Sequence, residues 1–148
     1  MSRAIVSGSE FAVIESARVT AANTVREGMP VIMAAGTIVE ATAQATAAIG
    51  IAIGMEDQAD PGAGPWTAIA GTMVNYVRLG SPCIVKTRVG AGAATVNVEA
   101  VCAAAGAQDY TLAAGANVTT VLGVWTESGL VNDLRGLWIG GYHRCLGA

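Results

Sequence analysis

The sequence has few charged residues, and this limits the kinds of partner that the protein can bind. Charged residues make up 13% of the 148 residues, and the formal net charge is −3. That is about half the usual charged share. The basic residues are scattered singly, so there is no basic stripe to neutralise nucleic-acid phosphates and no basic helix to lie on a membrane. Because monomers usually stay soluble through charge, we expect copies or partners to cover much of this surface. A robust monomer with a Ser/Thr/Asn surface is the alternative.

Side chains for catalysis are also scarce. The only histidine is His143, and the cysteines are Cys83, Cys102 and Cys145. An odd number of widely spaced cysteines does not indicate a disulfide framework, and buried free thiols are expected. Cys–His catalytic pairs normally converge from distant parts of a fold, whereas His143 and Cys145 are near neighbours in sequence. The two residues also lack further ligands at usable spacing for a zinc site.

Two local features could bind a ligand, but each has a simpler interpretation. Glu56, Asp57 and Asp60 lack the dense alternation of a calcium loop and are typical of a solvated turn. Trp66 follows a Pro/Gly loop, where it could stack on a ligand, cap a barrel end or meet a neighbouring subunit. We therefore predict no catalytic, cofactor-binding or metal-binding residues, no cofactor and no enzymatic activity.

Long apolar runs are missing as well. The uncharged stretch 41–55 ends at Glu56 and contains polar residues, whereas a membrane-spanning helix needs about 20 mostly apolar residues. Met1–Glu10 has no apolar block of the kind that marks a secretory signal. The sequence predicts a soluble protein made in a cytoplasm.

Period-two alternation is present, and it indicates strands. Ile49, Ile51 and Ile53 alternate with small residues, and glycines interrupt any helical face. Gly28–Met33 and Thr37–Ala41 are predicted to form strands around an Ala35-Gly36 turn. The same pattern predicts further strands at Phe11–Thr20, Thr72–Leu79, Cys83–Val89 and Val118–Trp125. Many short strands separated by glycine turns indicate an all-β fold.

The expected organisation is an N-terminal arm at residues 1–10, a β-barrel-like domain at 11–127 and a C-terminal extension at 128–148 that packs on the domain or on a neighbouring molecule. The arm is expected to be flexible because Ser and Gly punctuate it. Thr95–Ala107 fits both strand and helix spacing, and a strand entering a short helical turn satisfies both. A weak echo relates IGIAIG at Ile49–Gly54 to LGVWTE at Leu122–Glu127, which two similar β units or chance would explain.

One stretch carries a resemblance. The segment REGMPVIMAAGTIVEATAQATAAIGIAIG, Arg26–Gly54, resembles the opening of tailed-bacteriophage capsid decoration (cement) proteins. In those proteins a Gly-x-Pro-Val-like strand, a glycine turn, an Ala/Thr-rich segment and an Ile-Gly-Ile-Ala-type strand follow one another. The later VNYVRLGSPCIVKTRVGAG resembles the second half of that family. The loop Gln58–Trp66 and the tail after Glu127 depart from the pattern.

The resemblance implies a β-barrel or β-tulip-like domain, without catalysis, that binds the outside of a phage capsid. Such a protein would bridge major capsid protein subunits as a homo-oligomer, a trimer by analogy, with the virion exterior as its location. Deleting Met1–Glu10 is expected to weaken capsid binding and leave the fold intact. The alternative is a ligand- or glycan-binding β-domain of a phage head or tail appendage, using Trp66 or Trp125. The predicted interface residues, taken from the arm, the long loop and the tail, are Arg3, Ile5, Val6, Trp66, Leu137, Trp138, Tyr142 and Arg144.

Overall fold

The computed structural model describes residues 4–44, 46–56, 65–110 and 120–140, and they form an all-β structure. This confirms the predicted fold class, a small all-β barrel domain. One 3₁₀ turn lies at Ser9–Phe11. The strands are β1 Ile5–Ser7, β2 Ile14–Val19, β3 Val25–Arg26, β4 Pro30–Ala34, β5 Thr37–Glu40, β6 Gly50–Met55, β7 Thr67–Ala68, β8 Met73–Arg78, β9 Ile84–Arg88, β10 Glu99–Ala103, β11 Gly106–Asp109, β12 Val121–Trp125 and β13 Leu134–Trp138.

The first half of the chain forms a closed barrel in the order β2-β5-β4-β6-β8. Strand β8 pairs antiparallel with β2 and β6, while β2 closes the barrel by parallel pairing with β5 at Arg18 and Val19. Every second residue of these strands points inward. These inward residues form a core that includes Val19, Val31, Ile38 and Val74. The period-two pattern in the sequence arises from this one-sided burial.

The second half, together with β1 from the start of the chain, forms a sheet in the order β1-β9-β13-β12-β10-β11. A parallel bridge between Val89 and Ala107 joins the end of β9 to β11, so this sheet also curves back on itself. Its interior contains Cys83, Val85 and Leu137, all fully buried.

The two halves are structural repeats. We call the strands from β2 to β8 repeat 1 and those from β9 to β13 repeat 2. Counterpart strands start about 70 residues apart, at 14 and 84, 30 and 99, and 50 and 121. The hairpin of β4 and β5 and the hairpin of β10 and β11 each turn at an Ala-Ala-Gly triplet. The second alanine of each triplet has positive φ, 51° at Ala35 and 68° at Ala105. The pair Val25–Ala68 in repeat 1 corresponds to the bridge Ala94–Gly129 in repeat 2.

The faint sequence echo lies on counterpart strands, β6 and β12. In repeat 1 Ala52 pairs with Tyr76 on β8, and in repeat 2 Trp125 pairs with Leu137 on β13. Repeat 1 therefore pairs a small side chain, Ala52, with a large one, Tyr76. Repeat 2 pairs a large side chain, Trp125, with one of intermediate size, Leu137. Such changes keep the fold while hiding the relationship from the sequence.

The repeats pack closely against each other. Ile51 and Ile53 of β6 and Val77 of β8 join the core of repeat 2, so β6 is buried on both faces. Burial on both faces explains its near-continuous apolar sequence. At the same junction, Arg88 donates from its backbone N to the Gly28 carbonyl oxygen at 2.8 Å and from Nε to the Glu27 carbonyl oxygen at 2.9 Å.

Two segments expected to flank the barrel-like domain contribute strands to the same sheet as β9. Strand β1 replaces the expected flexible arm: Ala4 and Ile5 are buried, and Ile5 pairs with Val85. Strand β13 falls in the expected extension 128–148, yet it lies between β9 and β12. Both depend on partners far along the chain, which local composition does not reveal.

Two local expectations also differ. The strand expected at Phe11–Thr20 begins only at Ile14, because Phe11 lies in the 3₁₀ turn. The stretch expected to combine strand and helix is a hairpin of β10 and β11, with no helical turn. Alanine has high helix propensity, but pairing of β10 with β11 and β12 outweighs it here.

Candidate interaction surface

The predicted interface residues that are buried support the protein's own fold. Ile5 is buried in the core that β9 shares, Leu137 is fully buried in repeat 2, and Trp66 is 5% exposed in the core of repeat 1. The side chain of Trp125, the other proposed ligand-stacking residue, is also fully buried. In this arrangement none of these four side chains offers a surface to a partner or glycan.

Two predicted interface residues are exposed, and they lie on strands that flank β9. Val6 is 50% exposed and Trp138 is 36% exposed. Residue Ser7, next to Val6, pairs with Ile84, and Ile84 pairs on its other side with Trp138. The structure therefore brings these two near the same end of one sheet. Arg3, Tyr142 and Arg144 lie outside the described residues.

The most exposed large apolar side chains lie in two counterpart turns. Ile69 precedes β8 and is 65% exposed, and Leu130 precedes β13 and is 74% exposed. In each turn the amide three residues later donates to the carbonyl of the apolar residue, at 3.0 Å from Thr72 to Ile69 and 3.0 Å from Asp133 to Leu130. The same local geometry thus presents one large apolar side chain from each repeat.

Sequence reasoning missed these turn residues. A single Ile or Leu in a turn gives no periodic signal, so only the internal repeat could have pointed to the pair. The backbone supports both turns in the same way. Gly71 donates to the Val19 carbonyl oxygen at 3.1 Å, and its counterpart Asn132 donates to the Val89 carbonyl oxygen at 2.8 Å. Both donors have positive φ, 85° and 72°, a conformation that Gly and Asn adopt most readily.

A second exposed apolar group precedes β2. Phe11, Val13 and Ile14 are each at least half exposed, and Val6 of β1 has the same exposed fraction as Val13. The 3₁₀ turn is linked to repeat 2, because the Val13 amide donates to the Ser81 hydroxyl at 3.0 Å. This group is therefore held in place rather than free, and it lies beside the start of β2.

The described basic side chains all donate to acceptors within the chain. Four form ion pairs with carboxylates at 2.9–3.2 Å, and two donate to backbone carbonyl oxygens. Burial, with a further contribution from the Arg26 guanidinium, lowers the pKa of Arg88. Positive charge in the described part is therefore dispersed, and four of the six cations are paired with carboxylates. The residues concerned are Arg18, Arg26, Arg78, Lys86, Arg88 and Arg135.

The described thiols are buried. Burial raises the pKa of Cys83 to about 11 and that of Cys102 to about 12. Nucleophilic attack and metal binding require the thiolate, so burial disfavours both reactions for these two thiols in the folded chain. Both side chains pack as small apolar groups in repeat 2.

Within the described residues there is no pocket and no cluster of three or more His, Cys, Asp or Glu side chains that could hold a metal ion. No helix in the described part is long and apolar enough to cross a membrane. No protein-family model matches the chain, and no curated protein matches it.

Proposed function

We propose that the protein is a non-enzymatic virion structural protein that binds the outside of a phage capsid and bridges neighbouring major capsid protein subunits. The observation that carries the proposal is the pair of exposed apolar turns, Ile69 in repeat 1 and Leu130 in repeat 2. The resemblance of Arg26–Gly54 to capsid decoration proteins supports the same function.

A capsid shell presents the same surface many times at fixed spacing. A chain with two counterpart contacts can engage two equivalent sites on neighbouring shell subunits, and simultaneous engagement strengthens binding without new kinds of contact. The duplicated turns match this requirement. Assembly of the protein into a homo-oligomer, a trimer by analogy with the family, would multiply the contacts further.

The low charge supports the same proposal. With charged residues at 13% of the chain and four of the six described cations already in ion pairs, long-range attraction to a charged partner contributes little. Binding would depend on burial of apolar surface, which is insensitive to salt. Capsid binding is therefore expected to persist at high ionic strength, unlike binding to nucleic acid.

The test is co-sedimentation with empty shells of a tailed-phage major capsid protein, which is first to be sought in the reading frames that neighbour this chain. Ile69→Ser and Leu130→Ser should each weaken binding about tenfold or more, because burying a large aliphatic side chain contributes about 1.5–3 kcal/mol. The double variant should lose both contacts. Met33→Ser is the matched control, since Met33 is 45% exposed on β4 and lies in neither turn.

Two results would contradict the proposal. Failure of the unmodified protein to bind shells would exclude the function, and wild-type binding by the double turn variant would exclude these contacts. Deletion of Met1–Glu10, the experiment that the sequence alone suggests, is a poor test because this segment contributes Ala4 and Ile5 to the core. The deletion would perturb folding as well as binding.

A further inference from the structure

The start of β9 in repeat 2 is paired on both sides. Strand β13 pairs along one side, and β1 pairs antiparallel along the other, with Ile5 opposite Val85. The Lys86 amide donates to the Ala4 carbonyl oxygen at 2.7 Å, which shows that even-numbered β9 residues direct their backbone groups toward β1. Strand β1 is therefore an example, within this protein, of an extended segment paired with this edge of β9.

The counterpart edge in repeat 1 has no such strand among the described residues. Strand β8 pairs with β2 from Ile14 to Arg18, whereas β5 reaches β2 only at Arg18 and Val19. Val13 and Val19 form backbone hydrogen bonds with the β8 side. In an antiparallel ladder these bonds alternate, so the N–H and C=O groups of Ile14 and Ser16 point to the other side.

The exposure of side chains differs in the same way between the β2 edge and the β9 edge. Val13 is 50% exposed, while its counterpart Cys83 is fully buried. The Glu15 side chain is 39% exposed, while its counterpart Val85 is fully buried. The positions that β1 covers in repeat 2 are therefore the ones left open in repeat 1.

We propose that the open edge of β2 binds an extended segment of another protein, antiparallel to β2, with Lys or Arg opposite Glu15 and an apolar residue opposite Val13. Glu15 accepts from the Tyr76 hydroxyl at 2.7 Å and from Arg78 Nη1 at 3.2 Å. A carboxylate can accept further hydrogen bonds, and opposite charges across a strand pair are stabilising.

The charge of Glu15 selects among occupants. Antiparallel pairing with β2 of a second copy would bring a second Glu15 to this short edge without a cation beyond the Arg78 that each carboxylate already pairs with, so the two carboxylates would repel. A basic and apolar segment has no such penalty. Exposed sheet edges commonly bind partner strands in this way, with backbone hydrogen bonds for affinity and side chains for specificity. The inference goes beyond the proposed function, because it does not require the partner to be a capsid subunit.

The probe is a synthetic peptide with the sequence SRAIVS, residues 2–7 of this chain. It carries Arg and Ile two positions apart, and its last three residues form the strand that occupies the counterpart edge. In the full-length protein, the peptide at millimolar concentration should slow amide hydrogen exchange at Ile14 and Ser16. Exchange at Glu15 and Ala17 should not change, because those amides already face β8. The peptide SEAIVS should bind at least about threefold more weakly.

A matched pair of variants isolates the backbone contribution. Ser16→Ala and Ser16→Pro both remove the hydroxyl that donates to Asn75 Oδ1 at 2.5 Å, but only proline also removes the edge N–H. Peptide binding should be retained in Ser16→Ala and fall at least about tenfold in Ser16→Pro. Circular dichroism checks that each variant is folded. Glu15→Lys gives a second readout, since it should reverse the preference between SRAIVS and SEAIVS.

Three results would overturn the proposal. One is unchanged exchange at Ile14 and Ser16 with saturating peptide, and another is an unreversed preference in Glu15→Lys. The third is a dimer in sedimentation that Ser16→Ala retains and Ser16→Pro abolishes, because a second copy would then occupy the edge. No capsid is present in these experiments, so their failure is separate from failure of the proposed function.

Discussion

Replacing Leu137 with alanine tests whether the C-terminal segment is part of the core. Leu137 is fully buried on β13, where it pairs with Val85 on one side and Trp125 on the other. Removing a buried leucine loses the transfer free energy of its methyl groups and leaves a cavity, which costs about 2–5 kcal/mol. A domain of this size is usually stable by only about 5–15 kcal/mol. Leu137→Ala should therefore lower the melting temperature by roughly 4–20 °C.

The control lies in the same segment. Leu130 is 74% exposed, so Leu130→Ala should change the free energy of unfolding by no more than about 0.5 kcal/mol. Urea unfolding followed by circular dichroism measures both variants, and equal m-values would show that the denatured state is unchanged. If Leu137→Ala were as stable as Leu130→Ala, β13 would not be a core strand and the assignment of repeat 2 would be refuted.

Three further predictions concern buried groups. Cys83 and Cys102 should resist iodoacetamide at pH 8 in the folded protein and react once it is unfolded; peptide mapping that finds either one alkylated first would contradict their burial. Burial, together with the hydrogen bond to Glu15, raises the pKa of Tyr76 to about 12 from 10.0. Because the folded state holds this proton more tightly, stability should fall as pH rises from about 10 to 12, and Tyr76→Phe should reduce that slope in denaturant titrations. Gly123→Ala should yield no folded protein by circular dichroism, because the new methyl group would collide with backbone of β13; a native spectrum would refute that packing.

Local alternation was sufficient to predict several strands. Cys83, Val85 and Val89 point inward as their spacing indicates, and the Ala35-Gly36 turn lies where it was expected. These features depend on neighbours within a few residues, because strand period and turn conformation are local properties. The surface could not be predicted in the same way. Trp66 follows a Pro/Gly loop, which favours an exposed interpretation, but it lies in the barrel core.

The all-β class therefore follows from residue order alone, since a period of two with glycine turns suits strands and prevents a helical face. Residue order alone does not show which strands pair. The segments that contain β1 and β13 were expected to lie at the periphery, but these strands pair with β9 on its two sides. The internal repeat, of which the sequence shows only a weak echo, and the β2 edge that no described strand covers are likewise established only in three dimensions. The physical reason is that side chains of different size fill equivalent core positions, and the pairing of distant strands depends on packing across the whole domain rather than on local sequence.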